Sequence, residues 1–201
     1  MECMKSALHI FFGGIIMNVV VFLGASLGNK YEFEIECKNL GTMIGKNGFK
    51  LIYGGSKSGL MGILADSVIQ NGGSAIGIEP KMFIDRCFQH PDLEELIVTK
   101  DLIERKDRMN KMGDVFISFP GGTGTLDEII DVMELTTLNE FIDFNKECIF
   151  FNLNGYYDLI KQFLNQIVDN GFSNKERLKH IHFINTVEEI EQFLKEKDYR
   201  D

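Results

Sequence analysis

Short apolar runs alternate along this chain with longer segments whose apolar residues recur every three or four positions. The first pattern is typical of buried strands and the second of amphipathic helices. Residues 115–119 (VFISF) show the strand pattern, and the apolar positions at i+3, i+4 and i+7 from Leu126 show the helix pattern. Strands are predicted over residues 19–23, 49–53, 75–78, 115–119, 148–153 and 181–184, and helices over about 32–45, 60–70, 101–112, 126–133, 156–168 and from 186 onward.

The alternation of strands and helices predicts an α/β fold, with a mostly parallel sheet and helices on both of its faces. Glycine-bearing turns follow the first, second and fourth predicted strands, beginning at Gly24, Gly54 and Gly121. In folds of this kind, ligands bind at the carboxyl ends of the strands, near the point where the strand order reverses. A ligand site is therefore expected at this edge. Residues 79–100, which contain two prolines, are predicted to be irregular.

Length and composition limit the classes of protein to consider. The 201 residues suit one domain, assigned here to residues 17–201, and 44% hydrophobic content is ordinary for a globular protein. The net charge of −9 argues against a nucleic-acid partner, since a duplex requires a basic face. It does not exclude a small anion, because a local cluster of backbone amides can bind phosphate.

The cysteines and histidines give little support for a metal site. The four cysteines are widely spaced and include no C-x-x-C pair, which suits a reducing cytoplasm and predicts a cytoplasmic protein. His180 and His182 could chelate a metal, but their spacing of two is also what a short strand produces, and that interpretation is favoured.

The apolar N-terminal region could suggest a signal peptide or a membrane anchor. A histidine, two glycines and an asparagine interrupt it, and its flanks lack a good cleavage pattern, so no membrane association is predicted. Residues 1–16 are interpreted as an extension that precedes the first strand. One hypothesis is that translation begins at Met17, which mass spectrometry of the native N-terminus would decide.

The most informative segment of the chain is PGGTGTLDE at residues 120–128, which links a predicted strand to a predicted helix. Its three glycines leave backbone amides uncovered. The helix that follows contributes unpaired N–H groups and the positive end of its dipole, and together these favour a phosphate. The predicted phosphate site consists of Gly121, Gly122, Thr123, Gly124 and Thr125.

Glu128 has two interpretations at this stage. Thr125-x-x-Glu128 matches a capping box, in which Thr125 caps the helix and Glu128 reaches back to the Thr125 amide. Spacing alone favours that capping role. In the alternative, the Glu128 carboxylate acts on whatever is attached to the phosphate. The neighbouring Asp127 does not readily share one ligand with it, because adjacent helix positions differ by roughly 100°.

The helix that precedes the 115–119 strand is highly charged over residues 104–108. Such a run usually forms a solvated face. Arg105 could nevertheless reach a phosphate or a ribose, because a guanidinium offers paired donors.

P-G-G-x-G-T-x-x-E at 120–128, after a helix with R-K-x-x-M at 105–109, resembles the LOG family. Members of that family are cytokinin riboside 5′-monophosphate phosphoribohydrolases, long labelled as possible lysine decarboxylases. The order and spacing of the motifs agree over residues 17–172. Further matches are G-A-S at 24–26, Y-G-G at 53–55, G-L-M-G at 59–62 and N-G-Y-Y at 154–157.

The resemblance implies a Rossmann-like, doubly wound homodimer that acts on a small molecule without a metal or an organic cofactor. The implied reaction is hydrolysis of the N-glycosidic bond of a cytokinin or purine nucleoside 5′-monophosphate, giving free base and ribose 5-phosphate. Arg105 and Glu128 match positions that the family uses for catalysis, and the glycine turn matches its phosphate site. Ser26, Gly55 and Lys106 are further candidates for contact with the substrate.

Residues 137–147 depart from the family pattern, which commonly reads T-W-x-Q-L-G-x-H, and this chain contains no tryptophan. That segment helps to shape the base pocket in the family, so the base is left open. A non-catalytic carrier of a nucleotide or of a molybdenum-cofactor-type ligand is the second hypothesis. Lysine decarboxylation lacks support, because no lysine stands in a recognisable pyridoxal-phosphate setting.

Overall fold

The computed structural model describes residues 16–84 and 86–197. Seven parallel strands form one sheet in the order β4-β3-β2-β1-β5-β6-β7, with helices between them. The predicted α/β, doubly wound, Rossmann-like fold is therefore confirmed. The elements are β1 Asn18–Phe22, α1 Tyr31–Lys46, β2 Lys50–Tyr53, α2 Gly59–Gln70, β3 Ser74–Pro80, α3 Lys81–Ile84, β4 Glu95–Thr99, α4 Leu102–Met112, β5 Val115–Ser118, α5 Thr123–Thr137, α6 Asn139–Ile142, β6 Glu147–Phe151, a 3₁₀ turn at Leu153–Gly155, α7 Asp158–Asp169, β7 Ile181–Ile184 and α8 Val187–Lys197.

The central strands are buried on both faces, which is why they read as continuous apolar runs. In β1, Val19 and Val21 pack on one face of the sheet, and Val20 and Phe22 pack on the other. Helices α1, α2 and α8 cover the first face, while α4, α5 and α7 cover the second. Because all the strands are parallel, their carboxyl ends lie together at one edge of the sheet, between the two helix layers.

Strand β4 is the main element that the sequence pattern missed. Residues 95–99 fall inside the segment predicted to be irregular, and that part of the prediction was wrong. β4 is one of the two edge strands, so it needs only partial burial: Glu95 and Val98 are exposed, and Val98 keeps 51% of its surface. A half-exposed strand lacks the dense apolar run that identified the others.

The strand order reverses between β1 and β5, which pair directly although β2, β3 and β4 lie between them in sequence. The turns that follow these two strands meet, and a Cβ added to Gly24 would lie 3.5 Å from the Cα of Gly121. The glycine turns after β1, β2 and β5 thus gather at one edge, as expected. The predicted extension at residues 1–16 lies outside the described residues except for Ile16.

In the described part of the chain, no helix combines the length and the apolar character that crossing a bilayer requires.

Candidate active site

The glycine turn between β5 and α5 exposes backbone donors. Gly122 is the N-cap of α5, and no side chain caps the helix. The Leu126 amide makes the first helical bond, to the Gly122 carbonyl at 3.1 Å. The amides of Thr123, Gly124 and Thr125 therefore have no partner within the helix, and Thr123 and Gly124 are exposed. This is an arrangement that can bind an anion.

The capping box predicted from spacing does not form. The helix begins two residues before Thr125, so Thr125 lies inside the first turn, where its side chain is buried. Gly121 makes this possible, because a Cβ there would overlap the Thr125 side chain. Glu128 does not reach back to the turn and pairs with Arg105 instead.

Arg105 and Glu128 form a buried ion pair across α4 and α5. The Arg105 Nη1 donates to Glu128 Oε1, and its Nε donates to the Ile78 carbonyl at 2.8 Å. The side chains of Arg105 and Glu128 keep 14% and 11% of their surface. The guanidinium also occupies space that a side chain at Gly54 would take, since a Cβ there would lie 2.8 Å from Nη2. Arg105 is thus held at the carboxyl ends of β2 and β3.

Burial dominates the electrostatics of Glu128. Removal from water raises the pKa of the Glu128 carboxyl above its ordinary value, while the charge and the hydrogen bond of Arg105 oppose that rise. The carboxylate therefore has one strong partner and little solvent, and such an environment is typical of a functional group.

A cleft of about 300 Å³ opens beside the glycine turn, on the side of α1 and α2. The predicted residues Ser26, Gly121 and Gly122 line it, and Ser26 is exposed. The remaining lining residues are mostly apolar or small: Gly24, Ala25, Gly28, Phe33, Leu60, Pro120 and Tyr156.

Two tyrosines hold the glycine turn in place. The Tyr156 hydroxyl donates to the Gly121 carbonyl at 2.6 Å, and the Tyr157 hydroxyl donates to the Phe119 carbonyl at 2.9 Å. Both residues belong to the N-G-Y-Y motif that matches the family at 154–157, but the motif alone indicated no role for them. The only signal was the motif itself, because nothing in the local pattern shows that it lies next to a turn some 35 residues earlier.

Lys106 and Gly55 occupy structural positions. The Lys106 ammonium lies 3.2 Å from Asp127 and 3.4 Å from Asp131, so it ties α4 to α5. Partial burial lowers the pKa of Lys106, but the two carboxylates outweigh it and the net shift is upward. Gly55 is buried with a φ of 82°, and a Cβ there would lie 3.3 Å from the Cα of Gly77. Neither residue lines the cleft.

The G-L-M-G motif at the start of α2 serves close packing. A Cβ on Gly59 would overlap the Ala25 carbonyl, and a Cβ on Gly62 would overlap the Lys57 carbonyl. Gly59 also has a φ of 59°, which favours glycine. The contact of Gly59 brings the start of α2 against the turn that follows β1, and Leu60 and Ala25 both line the cleft there.

Two known proteins are similar in sequence to most of this chain. LOG1 of Arabidopsis thaliana, named as a cytokinin riboside 5′-monophosphate phosphoribohydrolase, is 34% identical over 154 residues, which cover 77% of this chain and 71% of that protein. A protein of the same name from Rhodococcoides fascians is 34% identical over 157 residues, or 77% of each chain.

The molybdenum cofactor binding protein of Rippkaea orientalis has a solved structure that matches with a TM-score of 0.68 and 20% identity, over 91% of this chain and 98% of that one. At that identity, the likeness shows a shared fold. A family model described as possible lysine decarboxylase matches residues 61–194. The chain therefore belongs to this family, the LOG family of phosphoribohydrolases.

Proposed function

We propose that this protein hydrolyses the N-glycosidic bond of a purine-type nucleoside 5′-monophosphate to free base and ribose 5-phosphate. One observation carries the proposal: the uncapped N-terminus of α5 and Glu128, which pairs with Arg105 of α4, lie within the first two turns of the same helix. Glu128 follows Thr125 by three residues, roughly 4.5 Å along the helix axis. A phosphate at the turn would therefore place its attached sugar within reach of Glu128.

The amides of α5 would hold the phosphate. Thr123, Gly124 and Thr125 supply N–H groups, and the helix dipole adds positive potential at the same point. Gly122 and Gly124 bear no side chain that could block a phosphate oxygen, and beyond the adjoining backbone no atom of the described residues lies within 4 Å of where their Cβ would be. The bound phosphate then fixes the position of the ribose relative to Glu128.

Glu128 would act where positive charge develops. As the bond from the anomeric carbon to the base nitrogen breaks, the ribose ring gains oxocarbenium character, which a nearby carboxylate stabilises. Glu128 holds a ribose hydroxyl or the attacking water. Water adds its hydroxyl to the anomeric carbon and the base leaves with the proton. Arg105 keeps Glu128 ionised and orients the substrate.

The test is release of base and ribose 5-phosphate from AMP and from a cytokinin riboside 5′-monophosphate, followed by chromatography. Glu128→Gln should lower turnover on the order of 100-fold or more while phosphate binding persists. Glu134→Gln, an exposed change on the same helix, is the matched control and should leave turnover unchanged. Full activity in Glu128→Gln would refute the assigned role.

The cytokinin substrate is the more specific part of the proposal. It rests on the activity for which the relatives from Arabidopsis thaliana and Rhodococcoides fascians are named. A higher kcat/KM for the cytokinin nucleotide than for AMP would support it. Tight retention of nucleotide with no release of base would instead favour the carrier hypothesis.

We also propose that the protein acts as a homodimer. Apolar side chains stand exposed on the neighbouring helices α4, α5 and α6, and Ile103 keeps 76% of its surface and Phe141 73%. Ile103→Asp should lower the mass measured by sedimentation from dimer to monomer. Phe172→Asp, at an exposed apolar residue outside these helices, should leave the mass unchanged.

A further inference from the structure

The hydroxyls of Tyr156 and Tyr157 both bond carbonyls of the glycine turn, but they differ in whether they orient one of its backbone N–H groups. The residue after Phe119 is Pro120, which has no N–H, so the Tyr157 bond fixes the backbone without orienting a donor. The residue after Gly121 is Gly122, which carries an N–H and lines the cleft. Of the two tyrosine bonds, the Tyr156 bond is therefore the one that controls the direction of an amide, that of Gly122.

Because the peptide is planar, the bond from Tyr156 to the Gly121 carbonyl also fixes the direction of the Gly122 N–H. No cis peptide bond occurs in the described residues, and in a trans peptide the carbonyl and the following N–H point in opposite directions. Because the Gly121 carbonyl is held toward Tyr156, the Gly122 N–H faces away from it. Glycines on both sides of this peptide would otherwise allow it to rotate with little steric resistance.

The position of Tyr156 is itself well determined. Asn154 and Gly155 before it adopt left-handed conformations, with φ of 52° and 76°. The side chain of Asn152 closes the turn, accepting from the Tyr157 amide at 2.7 Å. The Tyr156 ring then meets the ring of Phe33 edge to face, with centroids 6.1 Å apart. Tyr156 keeps 46% of its surface, so its hydroxyl can be removed without opening the core.

We propose that Tyr156 is a positioning residue that presents the Gly122 amide to the substrate phosphate. The inference rests on the proposed function of the same site. Without the hydroxyl, the Gly121–Gly122 peptide can rotate and turn its carbonyl toward the phosphate. The attraction between the Gly122 N–H and the phosphate is then replaced by repulsion between the Gly121 carbonyl oxygen and the phosphate. Arg105 and Glu128 are untouched by this change, so the chemical step should keep its rate once substrate is bound.

The experiment compares wild type, Tyr156→Phe and Tyr31→Phe, the last being a change at an exposed tyrosine outside the cleft lining. Steady-state kinetics with a nucleoside 5′-monophosphate are measured beside calorimetric binding of inorganic phosphate. Tyr156→Phe should raise KM about tenfold and weaken phosphate binding by a similar factor, with kcat within about twofold, because one hydrogen bond to a charged group is lost. Tyr31→Phe should have the same KM, kcat and affinity for phosphate as wild type.

Equal phosphate binding in Tyr156→Phe and wild type would overturn the inference, as would a fall in kcat alone. Wild-type protein that binds phosphate but releases no base would refute the proposed function, while the dissociation constants would still decide the role of Tyr156. Wild-type protein that binds no phosphate would overturn both.

Discussion

Arg105 shows at the scale of a single residue how this site depends on geometry as well as charge. Its guanidinium makes two divergent bonds, one to a strand carbonyl and one to Glu128. The sequence alone could point to an arginine in a charged helix, but spacing could not pair it with Glu128, since 23 residues separate them. That pairing depends on α4 and α5 lying side by side.

Replacing Arg105 by lysine tests this geometry. A lysine keeps the charge but cannot bond Ile78 and Glu128 in the same planar arrangement, so we expect kcat to fall on the order of 100-fold. Arg108→Lys, on the same helix with a half-exposed side chain, is the control and should retain full activity. Wild-type kcat in Arg105→Lys would show that charge alone is sufficient.

The pH dependence of activity follows from Glu128. The mechanism needs the carboxylate ionised, and burial raises its pKa above the ordinary value of 4.5. Activity should therefore fall as the pH drops through that raised pKa, with the midpoint of the acid limb of kcat/KM above pH 4.5. The residual activity of Arg105→Gln should show this limb at a still higher pH, because the charge that opposes the rise is gone. A limb at or below pH 4.5 in wild type would contradict the role of Glu128.

At the scale of elements, the sequence pattern identified strands by their apolar runs. The central strands were found because both of their faces are apolar, and the edge strand β7 was found because three of its four residues are apolar, whereas β4 was missed because it lies in a segment with two prolines and exposes Glu95 and Val98. The start of α5 was also misjudged. Thr125 and Glu128 have capping-box spacing, but the contact between Gly121 and Thr125 favours a helix that begins earlier. Such a contact is tertiary and leaves no local signature.

The two glycines of this turn should respond differently to alanine. Gly121→Ala places a Cβ against the Thr125 side chain and 2.9 Å from the Gly24 nitrogen, so the free energy of unfolding should fall by about 1–3 kcal/mol. At Gly124 the added Cβ meets no atom of residues 16–84 or 86–197 within 4 Å other than the adjoining backbone, and Gly124→Ala should leave stability unchanged or raise it by up to about 1 kcal/mol. Urea unfolding measures both. Equal losses in the two variants would show that the packing of Gly121 does not matter.

At the scale of the whole molecule, a buried carboxylate joins the last elements of the chain to the sheet. Glu147 on β6 lies 2.7 Å from His182 Nε2 and 3.3 Å from His180 Nδ1, and it accepts a hydrogen bond from Lys197 of α8. The strand predicted from the spacing of His180 and His182 is present as β7, but it contains only His182, and His180 lies one residue before it. The approach of both rings to Glu147 was not predictable, because Glu147 lies some 35 residues away from His182 on the neighbouring strand.

Glu147→Gln should destabilise the protein by about 2 kcal/mol at pH 7, because it removes the charge that faces the partly exposed Lys197 ammonium and weakens the hydrogen bond with His182. Burial alone would raise the pKa of Glu147, but the bonds from His182 and Lys197 outweigh it and lower the pKa to about 2. The stabilisation is therefore complete above about pH 4.5 and is lost as the pH falls toward 2. The difference in unfolding free energy between wild type and variant should shrink over that range, and the fully exposed Glu176→Gln should show no comparable effect. A difference independent of pH would indicate lost packing.

The position of β1 in the sheet has a consequence for biosynthesis. β1 leaves the ribosome early, yet its partner β5 is complete only at Ser118, about a hundred residues later. Until then the sequence NVVVF has an unpaired side, which is a template for association with other nascent chains. Slow or paused translation within that interval would therefore prolong the time during which β1 can associate with other chains. Binding of a holdase chaperone to the nascent chain should be greatest before residue 118 emerges.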